Sequence, residues 1–138
     1  IKTLHVRMQR HCENATEIAN YLKKHPKIEK VYWPGFEDHP NHKVAKAQMK
    51  DFGGMLSFVT KGADYDAAIK IVEKLKIFTL AESLGGVESL AGHPASMTHA
   101  SIPKTLREKS GVVDALVRLS IGIEDVRDLI ADLEQAIG

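Results

Sequence analysis

The chain has 138 residues, 43% of them hydrophobic, which is the size of one domain and enough to bury a single core without disulfides or metals. Its 19 basic and 18 acidic residues nearly cancel and aromatics make up only 6%, so neither a basic footprint nor a set of base-stacking platforms for nucleic acid is present. Cys12 is the only cysteine, which excludes an intrachain disulfide and any multi-thiolate zinc site, and no apolar run approaches the roughly 20 residues of a membrane-crossing helix.

A soluble protein in a reducing, cytoplasmic setting is expected from these features. The sequence begins at Ile1 with helical periodicity already running and no capping residue ahead of it, so an upstream part of the protein is expected as well.

In residues 1–24, Leu4, Met8, Cys12, Ala15, Ile18, Ala19 and Leu22 recur at steps of three and four, predicting one long helix with one apolar stripe that His25-Pro26 stops. Residues 28–33 alternate as a strand before Pro34-Gly35 turns the chain. A short polar helix over 40–49 follows, and MLSFVT at 55–60 reads as a central strand with both faces covered. Asp64 is placed to cap a helix whose apolar face is Tyr65, Ala68, Ile69, Val72 and Leu75. A third strand over 77–81 leads into a long loop of small residues. Pro103 then opens a short helix that Gly111 ends, and the fourth strand covers 115–121. The last helix starts near Asp125, with Glu124 and Asp128 at its positive end and Val126, Leu129, Ile130, Leu133 and Ile137 buried.

The fold class implied is α+β (α/β-type): a layer of about four mainly antiparallel strands with helices on one side.

Two places carry polar chemistry that packing does not ask for. In ALVRLSIG, alternation sets Arg118 and Ser120 against Val117, Leu119 and Ile121. An arginine there keeps its charge and needs a carboxylate, a phosphate or carbonyls in fixed geometry; an ion pair with one of the chain's own acids, or an edge position facing water, meets that need as well as a ligand does. Glu82-Ser83-Leu84-Gly85-Gly86 lies at a strand end, where paired glycines serve either a tight turn or the approach of a ligand. Lys104, Arg107 and Lys109, balanced by Glu108, read as a solvated face. His39 and His42 share a helical face but lack a third ligand nearby, so no metal site is expected. His93 reads as a loop residue and His99 as facing either core or cleft. The chain has no GxSxG elbow and no glycine-rich phosphate loop.

AESLGGVESLAGHPASMTHASIP followed by LVRLSIGIEDVRDLIADLEQAI closely resembles the C-terminal domain of the Cys/Met-metabolism pyridoxal-phosphate enzymes, a family that includes cystathionine γ-synthase, cystathionine γ-lyase and methionine γ-lyase. The resemblance extends upstream through HPKIEKVYWPGFEDHPNHKVAKAQMKDFGGMLSF and so covers essentially the whole chain. It implies the small C-terminal domain of fold-type I enzymes, with residues 1–138 closing over an active site whose pyridoxal 5'-phosphate is carried on a lysine of an N-terminal domain absent from this chain.

Under that resemblance, Arg118 holds the α-carboxylate of an amino-acid substrate, Ser83 lies near the catalytic lysine, and Glu82 is the acid found in members that handle cystathionine. Cystathionine, an O-acylhomoserine or cysteine would be the substrate, in either γ-replacement by a synthase or elimination by a lyase. No catalytic lysine and no cofactor-binding residue is expected within these 138 residues, which alone should be inactive; the complete enzyme should be a homo-oligomer. The competing reading is a free-standing α+β module that binds an amino acid, or assembles, without catalysis.

Overall fold

A computed structural model describes residues 1–62 and 64–138. Ten elements follow in chain order: α1 (Leu4–Lys24), β1 (Ile28–Tyr32), α2 (His42–Gln48), β2 (Met55–Thr60), α3 (Tyr65–Lys74), β3 (Thr79–Leu80), β4 (Leu90–Gly92), α4 (Lys104–Lys109), β5 (Leu116–Ser120) and α5 (Val126–Ile137). The strands form one sheet in the order β1-β2-β5-β4-β3, antiparallel except for the β3–β4 edge.

The sheet has five strands, one more than the alternation predicts. The extra strand, β4, is three residues long and lies in the small-residue stretch read as loop, too short to show a period. It pairs Ala91 with Leu119 and Gly92 with Arg118. The strand expected over 77–81 shrinks to two residues at the sheet edge.

Leu56 and Phe58 of β2 stand opposite Leu119 and Val117 of β5 and project to the same face. That face receives α1, α3 and α5, and the core joins Ile18, Leu22, Phe58, Val72, Val117, Leu119, Leu129 and Leu133 into one cluster. Burial of this apolar surface is the main source of stability, at about 25 cal/mol per Å² removed from water. β2 is interior to the sheet as predicted, but only one of its faces is sealed: Leu56, Phe58 and Thr60 are buried while Met55, Ser57 and Val59 are half-buried. Helices cover the other side alone.

Three helices differ from their predicted stripes, α5 in that Val126 and Ile130 are half-buried while Asp132 and Ala136 are buried. On α1 all burial begins at His11, and Leu4 and Met8, 44% and 40% exposed, face solvent. On α3 Asp64 caps as predicted, accepting from the Ala67 N–H, but Ile71 is buried where Ile69 was expected. On α5, Asp132 sits in the buried stripe: its carboxylate accepts from the successive N–H groups of Lys76, Ile77 and Phe78 at 2.8–3.1 Å and so ties the end of α3 to α5. Burial pushes the Asp132 carboxyl up, yet these N–H groups and the Gln135 amide together hold it below the usual aspartate value.

Candidate functional site

β5 presents Arg118 and Ser120 on the face away from the helices, with Ser57 of β2 and Gly92 of β4 on either side of Arg118. Arg118 is half-buried, and among the described residues no carboxylate lies within 4.0 Å of it. The internal ion pair that the sequence left open is therefore not formed. Its one hydrogen bond runs from Nη2 to the carbonyl oxygen of Ser83, 3.2 Å away, and its other guanidinium donors have no partner among the described residues. Gly92, its neighbour on β4, is buried, and a Cβ there would make ordinary van der Waals contact with Nη2 at 3.9 Å.

The 82–86 loop lies against this strand. Gly85 takes φ +76°, a conformation that side-chain-bearing residues rarely adopt, and its N–H donates to Ser120 Oγ at 2.9 Å. Glu82 lines the cleft together with Arg118, Gly92, His93 and Met97. The structure thus brings Glu82, Ser83 and Arg118 together. Ser83 reaches Arg118 through its main chain, and both Glu82 and Ser83 have exposed side chains.

Several residues around the cleft have partners that the sequence did not show. His93 is a loop residue, as read from the sequence, and it is fully buried. Its Nε2 lies 2.6 Å from the Asp114 carbonyl, an acceptor, so Nε2 carries the proton and Nδ1 accepts from Ser96 Oγ at 2.9 Å. Tyr65 meets the ring edge-on, 4.9 Å between centroids. His93 thereby pins the chain after β4 to the start of β5.

Arg107 overturns the solvated reading of the 104–109 cluster. It is buried, donates to Asp114 Oδ1 at 2.7 Å and to the Val112 carbonyl at 3.1 Å, and leaves Lys104 and Lys109 exposed. Lys104 and Arg107 together hold the Asp114 carboxyl below its ordinary value.

Glu124 also departs from its expected role at the helix start. Asp125 caps α5, accepting from Arg127 N at 2.9 Å, and the Arg127 guanidinium draws its pKa down to about 2. Glu124 instead accepts from the N–H and the hydroxyl of Ser89 at 2.6 and 2.9 Å, while Ser89 Oγ accepts from Gly122 N at 2.8 Å. No local periodicity marks such a pair, and a serine thirty-five residues from its acid gives no short-range signal. His39 and His42 hold loop backbone: His39 Nδ1 accepts from Asn41 N, and His42 Nδ1 lies 2.8 Å from the Pro34 carbonyl.

Residues 1–138 match the family model described as Cys/Met metabolism PLP-dependent enzyme. The chain belongs to this family. It is 56% identical over 137 residues to a cystathionine beta-lyase of Coxiella burnetii, covering 99% of this chain and 35% of that protein. It is 54% identical to an L-methionine gamma-lyase of Fusobacterium nucleatum subsp. polymorphum (99% and 34% covered) and to a cystathionine gamma-lyase of Dictyostelium discoideum (99% and 35%). A crystal structure of cystathionine gamma-lyase from Lactobacillus plantarum complexed with L-serine superposes with a TM-score of 0.90 at 49% identity, covering 98% of this chain and 35% of that one.

The chain spans about a third of the length of these family members. Among the described side chains lining the Arg118 cleft, the guanidinium is the one permanent cation.

Proposed function

We propose that this chain is the substrate-carboxylate-binding C-terminal part of a pyridoxal-phosphate-dependent lyase acting on a sulfur amino acid, with cystathionine as the preferred substrate class. The observation that carries the reading is a half-buried arginine on a strand, unpaired by any acid among the described residues, with a single side-chain hydrogen bond among them. A guanidinium fork suits a carboxylate because it donates two parallel hydrogen bonds, which fix orientation as well as position. The relatives' names favour elimination over γ-replacement on an O-acylhomoserine, and the L-serine bound to the Lactobacillus plantarum enzyme supports an amino acid as ligand.

Arg118 would hold the α-carboxylate and thereby set the rotation about the N–Cα bond, which decides which bond at Cα is aligned for cleavage; orientation of this kind can supply several kcal/mol of a barrier. Glu82, on the same wall, would face the distal ammonium of cystathionine, a charge that methionine lacks. Pyridoxal phosphate, when bound, supplies the electron sink for chemistry at Cα. Its lysine would come from outside these 138 residues, which alone are expected to be inactive, and the complete enzyme is expected to be an oligomer.

The test is an assay of the full-length protein with L,L-cystathionine, L-methionine, and an O-acylhomoserine plus cysteine. γ-Elimination of cystathionine releases cysteine, 2-oxobutanoate and ammonia, whereas β-elimination releases homocysteine, pyruvate and ammonia. The expected result is an oxo acid from cystathionine, formed more slowly by Arg118→Ala. Formation of cystathionine from the O-acylhomoserine, with no oxo acid, would assign replacement instead, and inactivity on all three would remove the enzyme reading.

A further inference from the structure

The geometry points to Ser120 as the positioning residue that holds the 82–86 loop, and with it Glu82, in register with Arg118. This inference rests on the carboxylate reading of the cleft and extends it to a residue that does not touch the ligand.

Arg118 and Ser120 are two residues apart on one strand, so their side chains leave the same face, and both grip the same loop. Arg118 Nη2 donates to the Ser83 carbonyl at 3.2 Å, and Ser120 Oγ accepts from Gly85 N at 2.9 Å. The chain is anchored on either side of the loop, where Ala81 N donates to the Ala91 carbonyl at 3.0 Å and Ile123 N donates to the Val87 carbonyl at 2.9 Å. Between these anchors the Ser83 and Gly85 bonds are the ones found among the described residues. Glu82, Ser83, Leu84 and Gly85 are exposed, Leu84 by 57%, so apolar burial contributes almost nothing to its position. A segment without packing is placed by its hydrogen bonds, and these two are the ones that reach β5.

The two bonds differ in one respect. The arginine is half-buried and is the group that a ligand carboxylate would engage, whereas Ser120 is 3% exposed. A carboxylate engaging the free donors of the guanidinium shares that side chain with Ser83, whereas the Ser120 bond to Gly85 involves no atom of the guanidinium and is left unchanged. Ser120 is itself fixed by its backbone pairing with Met55 on one side and Leu90 on the other. Its hydroxyl therefore has a constant position from which to set where Glu82 stands.

The consequence falls on substrate discrimination. Loosening the loop displaces Glu82 relative to Arg118, which weakens recognition of a substrate charged at its far end more than one that is not. Ser120→Ala, Ser120→Thr and Glu82→Gln are compared in the full-length protein. Hydrogen exchange is followed in the peptide spanning residues 82–88, and KM (or Ki for a compound that is not turned over) is measured for L,L-cystathionine and L-methionine.

Ser120→Ala is expected to speed exchange in that peptide and to weaken cystathionine relative to methionine by roughly 3- to 10-fold, the size of one net hydrogen bond. Ser120→Thr, which keeps the hydroxyl, is expected to restore both. Unchanged exchange in Ser120→Ala overturns the inference, as does faster exchange with discrimination unaltered while Glu82→Gln alters it. If Glu82→Gln itself leaves discrimination unchanged, the distal-ammonium reading of Glu82 falls, and exchange alone decides whether Ser120 holds the loop.

Discussion

The two faces of the sheet are built on different physics. On one, Phe58, Val117 and Leu119 are completely buried under three helices, and any apolar group of the right volume and place contributes. On the other, Arg118 and Ser120 stand under loops that are held by a few specific polar contacts: Gly85 to Ser120, Ser83 to Arg118, Ser89 to Glu124, His93 to Asp114. The sealed face tolerates substitution in proportion to lost volume. The loop face depends on particular atoms, and that is where ligand chemistry is available.

The largest effect on stability is expected on the sealed face. Phe58→Ala should lower unfolding free energy by about 3–5 kcal/mol in chemical denaturation, from lost burial and the cavity left behind. A smaller loss would mean that the helices collapse onto the site, and the contrast between the faces would weaken.

Next comes the seam between them. A Cβ on Gly122 would lie 2.5 Å from Ser89 N and from the Val87 carbonyl, both backbone atoms that cannot rotate away. Gly122→Ala is expected to cost roughly 1–3 kcal/mol and to disturb the Ser89–Glu124 pair, visible as faster hydrogen exchange around residues 87–89.

Asp132→Asn gives a loss of similar or smaller size, about 1.5–3 kcal/mol, since three N–H groups lose a charged acceptor. It carries a pH signature. The folded-state carboxyl lies below its ordinary value, so its contribution is fully present above about pH 4 and is lost as pH falls through the folded value. The variant should therefore show a shallower loss of stability on acidification than the parent; identical acid limbs would exclude Asp132 as the group responsible.

Arg118→Ala should have the smallest effect on stability, within about 0.5 kcal/mol, because it removes one bond and no packed volume. In the full-length protein the same change should lower kcat/KM for the amino acid by about 10- to 100-fold, as expected for hydrogen bonds to a charged partner. Unchanged kcat/KM would take Arg118 out of the site.

The elements that could be read from sequence were those with a repeating direction. α3, α5, β2 and β5 lie within a residue or two of where the apolar spacing put them, and the alternation of ALVRLSIG placed Arg118 on the face opposite Val117 and Leu119. β4 escaped because three residues cannot display a period, and Leu4 and Met8 looked buried because a stripe reports a helix's apolar side without saying how far along it the core reaches. The grouping of Glu82, Ser83 and Arg118 came from the resemblance of two motifs to a family, since their separate patterns fitted a plain turn and an ion pair equally well.

What the sequence by itself determined was therefore the local direction of each side chain, the apolar face of the sheet, and the family to which the two long motifs belong. The tertiary structure alone decided which polar groups meet. Arg107 found Asp114 and became buried, Glu124 turned to Ser89, and Ser120 reached Gly85 thirty-five residues away. The physical reason is range: backbone geometry repeats every 2 or 3.6 residues and leaves its trace in the sequence, whereas a hydrogen bond acts over about 3 Å of space between residues whose separation along the chain has no period at all.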